Sequence, residues 1–137
     1  METRLRTARL FVSPVEYVEL SDFKCFGDGI GYSATLKLCA GEFACLGREF
    51  YFDDLRNFIA QFQVAYARVR GSVELRSRYE EEFLRFAFTR LGRLDVSGLL
   101  VQYGPHQCRL AFSFEADQSF CPPFIDDLKV ICRELHL

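Results

Sequence analysis

The 137-residue sequence contains no tryptophan, two histidines and one methionine. It also lacks the common enzyme signatures: no Gly-x-Gly-x-x-Gly or Gly-Lys-Ser/Thr phosphate loop, no Gly-x-Ser-x-Gly elbow and no His-Glu-x-x-His zinc motif. No apolar run approaches the roughly 18 residues that a membrane helix requires. We therefore expect a protein without an enzymatic centre, a cofactor, a metal or a membrane span.

Cysteine is frequent but is not arranged as a metal or redox motif. No Cys-x-x-Cys pair occurs, and neither histidine lies near a cysteine pair at zinc-finger spacing. The first residues, 1–6, lack the apolar segment of a signal peptide. We therefore expect a cytoplasmic protein whose cysteines are reduced and act as small buried apolar residues. These are Cys25, Cys39, Cys45, Cys108, Cys121 and Cys132.

The charge is nearly balanced, with 17 basic and 19 acidic residues. This balance argues against a protein that coats nucleic acid. Seven arginines and no lysine lie in residues 68–93, and arginine is favoured in contacts with carboxylates and at protein interfaces. The aromatic residues that an RNA-binding protein would expose fall here on the core-facing register. The composition therefore favours a protein partner over nucleic acid.

Phenylalanine is the abundant residue, with 15 copies beside 6 tyrosines. Phenylalanine packs heavily in sheet cores, so a core filled with aromatic rings is the expected explanation. A cavity lined by phenylalanine that holds a small ligand is the alternative.

Hydrophobic periodicity predicts one α+β domain spanning residues 1–137. Apolar residues three or four apart predict helices over 55–69 and 124–135. Period-two alternation gives the order β-β-β-α-β-β-β-β-α. We expect an antiparallel sheet of about six to seven strands with both helices on one face. The predicted strands span residues 17–26, 32–38, 42–52, 73–76, 84–89, 94–100 and 107–114.

Acidic residues mark the predicted helix starts and one turn. The pairs 53–54 and 126–127 are each followed by leucine, and carboxylates there can cap free amides. Their recurrence hints at a duplicated unit. The glutamate run 80–82 is expected to be a solvated hairpin tip rather than a cation site, because adjacent strand residues point to opposite faces.

Two surfaces carry candidate partner-binding residues. One is acidic, lies near the first hairpin and suits a basic partner. The other places arginines on the outward register, with Leu99 and Val101 nearby. It suits an acidic partner, or is a solvated face with cross-strand pairs to residues such as Glu74. The candidates are Glu16, Glu19, Asp22 and Asp28 on the first surface, and Arg76, Arg85 and Arg109 on the second.

Short motifs resemble the WapI-type bacterial immunity proteins. A Gly-x-Phe strand over 41–50 is followed by the Leu-x-x-Phe helix start within 54–58. The Phe-x-Phe strand 110–114 and the Asp-Gln-Ser-Phe segment 117–120 are similar to the family's segment before its last helix. The likeness covers about residues 16–135.

This resemblance implies a small cytoplasmic protein that protects its producer by binding the C-terminal domain of a cognate toxin. It carries over no catalytic residues. An inhibitor of this kind needs a preformed surface of about 800 Å². A small-ligand-binding module is the alternative, to be recognised by a cavity of at least ~300 Å³ with converging polar groups. The sequence also leaves open a homodimer.

Overall fold

A computed structural model describes residues 7–26, 31–78, 81–89 and 91–136. Within these residues the chain forms eight strands, two α-helices and one short 3₁₀ helix, Gln118–Phe120. The helices are α1 (Leu55–Arg68) and α2 (Cys121–Leu135). The strands are β1 (Ala8–Ser13), β2 (Glu16–Phe26), β3 (Gly31–Ala40), β4 (Phe43–Phe52), β5 (Gly71–Arg76), β6 (Phe83–Phe88), β7 (Arg93–Gln102) and β8 (Cys108–Asp117).

The strands form two antiparallel sheets of four. Sheet A has the order β1-β2-β3-β4 and sheet B the order β5-β6-β7-β8. The α+β class and the order of helices and strands are confirmed, with β1 added at the start. The prediction of a single sheet of six to seven strands is wrong, because α1 intervenes between β4 and β5. Among the described residues the two sheets share one isolated bridge, Phe52 opposite Ser77.

The sequence pattern of β1 explains why it was missed. Ala8 and Leu10 point into the core and are fully buried, while Phe11 points outward and is 41% exposed. The outward phenylalanine makes residues 10–12 a continuous apolar run, which hides the period-two alternation.

The chain runs through the order ββββα twice, but the two acidic pairs are not equivalent positions. Asp54 is the N-cap of α1. The second helix begins at Cys121, so the pair 126–127 lies in its second turn and does not open it. Asp117 caps the 3₁₀ helix that precedes α2, and its Oδ1 accepts the backbone N–H of Ser119 at 2.9 Å.

One hydrophobic core joins the inner faces of both sheets to the two helices. Phe62 of α1 lies at its centre, with ring centroids 5.0 Å from Phe86 of sheet B and 6.0 Å from Phe124 of α2. In sheet A, Phe52 stacks on Tyr32 at 5.6 Å. The helices therefore do not lie on one face of one sheet. The buried phenylalanines are Phe23, Phe50, Phe52, Phe58, Phe62, Phe86, Phe88, Phe112, Phe114 and Phe124.

Glycine is required in the middle of β7 by close approach. A Cβ added to Gly98 would lie 2.4 Å from the Phe83 carbonyl oxygen and 2.8 Å from the Phe112 ring. No side chain fits at these distances, so β7 needs glycine here to pack against its neighbours.

All six cysteines are free thiols. Cys121 and Cys132 are buried as predicted, and burial raises the pKa of Cys121 to about 12. The prediction of a buried cysteine is wrong for Cys108, which is exposed at the first position of β8, opposite Gln102 at the end of β7. Residues 102–109 around it are exposed as well, so this end of the hairpin lies outside the core. The remaining three cysteines are partly buried.

Candidate functional site

The outward side of sheet A exposes aromatic rings in two stacked pairs. Phe11 and Tyr17 have ring centroids 6.0 Å apart, and Phe26 and Tyr51 have centroids 6.1 Å apart. Strand alternation directs these side chains away from the core, so their rings remain at the surface. We call this surface the aromatic face; it comprises Arg9, Phe11, Tyr17, Glu19, Phe26, Lys37 and Tyr51.

A row of charges crosses the aromatic face from β1 to β3. Arg9 lies opposite Glu19, which lies opposite Lys37. Arg9 donates Nε and Nη2 to Oε1 of Glu19, each at 3.0 Å. Lys37 makes no ion pair with any described residue, and its alkyl chain passes over Gly47, as an added Cβ there would lie 3.7 Å from Lys37 Cε. With Phe11 and Tyr17 these three side chains line a shallow surface pocket of about 300 Å³, which we call the dent.

The structure does not gather Glu16, Glu19 and Asp22, the described acidic candidates of the first hairpin, into one patch. Glu16 and Glu19 are three positions apart in β2 and leave the strand on opposite sides. The charge of Glu19 is balanced by Arg9. Asp22 is exposed at a bulge of β2, where its φ is 50°. Asp28 lies outside the described residues.

The outward side of sheet B carries Arg76 and Arg85, as the register predicts. We call it the arginine face; it comprises Glu74, Arg76, Phe83, Arg85 and Leu99. Arg76 donates Nε to Glu74 at 2.8 Å, and its guanidinium lies 5.2 Å from the Phe83 ring centroid. The guanidinium of Arg76 therefore contacts side chains of its own sheet. Arg85 is exposed opposite Glu74.

The third predicted arginine, Arg109, lies at the start of β8. Its two Nη atoms bind the carboxylate of Glu81, with Nη2 at 3.0 Å from Oε2. Hydrogen bonding to Arg109 lowers the pKa of Glu81. The prediction that Val101 is exposed beside these arginines is wrong, because Val101 is fully buried.

A cleft of about 660 Å³ separates β4 from the ends of β7 and β8, and one buried ion pair crosses beside it. Arg48 of β4 places Nη1 2.8 Å from Oε2 of Glu82 and donates Nη2 to Oε1 at 3.0 Å. Arg48 Nη1 also donates to the carbonyl oxygen of Val101 at 2.7 Å. Glu82 in turn accepts the N–H of Val101 at 2.8 Å. The two sheets are thereby joined at this end.

This ion pair corrects the prediction for the glutamate run. Glu81 is exposed, but Glu82 is only 2% exposed and points inward. Neighbouring side chains of a strand point to opposite faces. This alternation argued against a cation site, and it also directs every second side chain into the protein. The run 80–82 is therefore not a fully solvated tip, and residue 80 itself lies outside the described residues.

The cleft is large enough for a small ligand, but no phenylalanine lines it. Two of its charged side chains, Arg48 and Arg109, are already bound to glutamates. The phenylalanines that suggested a ligand cavity pack instead against one another in the core.

Three side chains that a catalytic cluster could use, Asp53, Asp54 and His136, have structural contacts. Asp53 binds Arg78 at 3.1 Å, and Asp54 accepts the N–H of Asn57 at 3.0 Å. His136 Nε2 is hydrogen-bonded to the Tyr32 hydroxyl at 2.6 Å. Burial raises the pKa of Tyr32, and the neighbouring cysteines add to the effect. In the described ranges no group of three histidine, cysteine or acidic side chains is placed to hold a metal ion.

The described residues form an α+β domain whose two sheets have unlike outer faces. A family model, the immunity protein WapI-like family, matches residues 4–136. The chain belongs to the WapI-like immunity protein family. Comparisons with curated proteins and with solved structures gave no match. No helix among the described residues is long and apolar enough to span a membrane.

Sequence reasoning missed the aromatic face, although a signal for it was present. Tyr17 adjoins the inward Val18, and Tyr51 lies between the inward Phe50 and Phe52. Strict alternation places both tyrosines outside. No such local signal exists for Arg48 and Glu82, which are 34 positions apart.

Proposed function

We propose that the chain is a bacterial, cytoplasmic immunity protein that binds a cognate toxin domain and neutralises it stoichiometrically, without catalysis. The observation that carries this proposal is the family match over residues 4–136. Membership in an immunity family makes a toxin the expected partner, and the fold supplies the surfaces on which it can bind.

The geometry supports this function in two ways. Two four-stranded sheets anchored on one aromatic core present stiff outer faces, and a preorganised surface loses little entropy on binding. The outer faces carry aromatic rings and arginines, the residue types that protein interfaces favour.

The test is co-expression with a candidate toxin domain, sought first in the gene immediately upstream, followed by titration of toxin activity with purified protein. We expect a one-to-one complex with nanomolar affinity and complete loss of toxin activity at one equivalent. Protection by far less than one equivalent would indicate catalysis and would contradict the proposal. Failure of the purified domains to associate would also contradict it.

A small-ligand-binding module is the second candidate, and the cleft of about 660 Å³ is the one observation that favours it. Mass spectrometry of the supernatant after denaturation of the purified protein would detect a retained ligand. A stoichiometric small molecule, together with no binding to the toxin domain, would put this candidate first.

A further inference from the structure

We infer that the toxin docks on the aromatic face of sheet A and places an acidic side chain beside Lys37. This inference rests on the proposed function. It adds the surface used and the chemistry of the toxin residue that this surface receives.

The two sheets provide an internal comparison for the choice of face. Among the described residues, sheet A directs four aromatic rings outward and sheet B directs one, Phe83. The Phe83 ring is partly buried and is contacted by Arg76. Phe26 and Tyr51 are 42% and 45% exposed, and Phe11 is 41% exposed even though the Arg9 guanidinium lies 5.6 Å from its ring centroid. Exposed rings on a rigid strand lose little side-chain entropy on binding, and such rings dominate binding energy at interfaces.

The charge in the dent determines the chemistry of the partner residue. Arg9 already binds Glu19, so the ammonium of Lys37 is the charge that no described residue balances. The dent of about 300 Å³ has room for one carboxylate side chain. The rings of Phe11 and Tyr17 border it and would exclude water from the new ion pair, which strengthens the attraction.

The size of the face fits a protein partner. Four strands, each occupying about 4.8 Å of the sheet's width, cover roughly 19 Å, and ten residues of β3 span roughly 33 Å. The resulting area of roughly 600 Å² approaches the ~800 Å² that each partner buries in a stable complex. A small acid would occupy the dent alone and leave the Phe26–Tyr51 pair, at the other end of the face, uncovered.

A protein is also a better match than single-stranded nucleic acid. One face of each ring is already stacked on its neighbour, which leaves less ring surface for nucleic acid bases than separate rings would offer. The carboxylates of Glu19 and Glu49 also belong to the outward side of sheet A and would repel phosphates.

The experiment compares two charge reversals by calorimetric titration with the purified toxin domain. Lys37→Glu lies on the aromatic face, and Arg85→Glu is the matched control on the arginine face; both positions are exposed on strands. We expect Lys37→Glu to weaken binding by about 100-fold or more and Arg85→Glu by less than about 3-fold. Tyr51→Ala should weaken binding by about 10-fold or more. Circular dichroism and thermal melting show that each variant is folded.

The outcomes separate this inference from the proposed function. If the wild-type protein does not bind the toxin domain, the proposed function fails. If the wild-type protein binds and Lys37→Glu and Tyr51→Ala bind equally well, the inference is overturned while the function stands. The inference is also overturned if the face variants abolish only self-association, seen by analytical ultracentrifugation, or only binding of a single-stranded RNA probe.

Discussion

Sheets A and B share an order of elements but present opposite surfaces. Each has four antiparallel strands followed by a helix, and both inner faces belong to one core. The outer face of sheet B is held by ion pairs, such as Arg76 with Glu74 and Arg93 with Glu115 at 3.4 Å. The outer face of sheet A has one ion pair, Arg9 with Glu19, two pairs of stacked aromatic rings, and a lysine that no described residue pairs.

The difference between the two outer faces separates the positions that the fold constrains from those that it leaves free. Inward positions must be apolar in both sheets, because they fill the same core. Outward positions have no such requirement, so a difference between them reflects another demand, which we assign to binding. The Arg48–Glu82 ion pair that joins the two sheets is tested first, and equivalent features of the two sheets are then compared.

The largest loss of stability is expected at the Arg48–Glu82 ion pair, which connects the two sheets. Glu82→Ala should lower the free energy of unfolding by about 3 kcal/mol, since Arg48 would keep a largely buried charge without its partner. Urea denaturation measures the loss. The matched control is Glu81→Ala, next in sequence but exposed in its pair with Arg109, for which we expect a much smaller change. Equal losses of stability would show that the Arg48–Glu82 ion pair contributes no more than the exposed pair of Glu81 with Arg109.

A second test concerns the tight packing of sheet B. Gly98→Ala should destabilise the protein by about 1–3 kcal/mol, because the new methyl group would collide with the Phe83 carbonyl and the Phe112 ring. Ser97→Ala, its outward neighbour, should change stability by less than about 0.5 kcal/mol. Chemical denaturation of both variants decides this. A tolerated alanine at position 98 would mean that β7 can move away from its neighbours.

The helix caps of the two halves differ, which gives a third test. Asp54→Ala removes the cap on the Asn57 amide and should cost about 1 kcal/mol in thermal or urea unfolding. Asp53→Ala should cost less, as it loses only an exposed contact with Arg78. If the order of the two losses were reversed, the cap would not be the reason for the acidic pair.

The smallest effect is a pH dependence of stability at Asp117, the cap of the 3₁₀ helix before α2. The backbone N–H of Ser119 lowers the pKa of Asp117, so its charge stabilises the folded state above the usual aspartate pKa of about 3.9. This contribution is lost as pH falls through the lowered folded value. The melting temperature of the wild type should therefore exceed that of Asp117→Asn slightly at pH 7, and the gap should close in acid.

Asp127 supplies a control of opposite sign. Burial, with the neighbouring charge of Asp126, raises the pKa of Asp127, so its ionised form is disfavoured in the folded state above the usual pKa. Asp127→Asn should stabilise the protein slightly at pH 7 and have no effect in strong acid. Differences that do not change with pH in either variant would contradict these assignments.

The sequence was sufficient for the elements but not for their assembly. Periodicity located both helices and seven of the strands, because alternation and helical spacing are local properties. Whether β5 pairs with β4 depends on the path of α1, which periodicity does not contain. The single predicted sheet was wrong for this reason.

The candidate surfaces were predictable to the same limited degree. The outward register of Arg76 and Arg85 follows from alternation, and the structure places both there. The pairing of Arg9 with Glu19 depends on the register of β1, a strand that the pattern did not show. The contact of Arg48 with Glu82 joins two sheets and has no local signature.

Hydroxyl-radical footprinting of the protein, free and bound to the proposed toxin partner, tests most directly which face binds. Oxidation of aromatic side chains reports their exposure residue by residue. We predict strong protection of Phe11, Tyr17 and Tyr51 in the complex, with Phe83 on the arginine face oxidised as in the free protein. Protection of Phe83 with unchanged oxidation of Tyr17 and Tyr51 would place the toxin on sheet B and contradict the account.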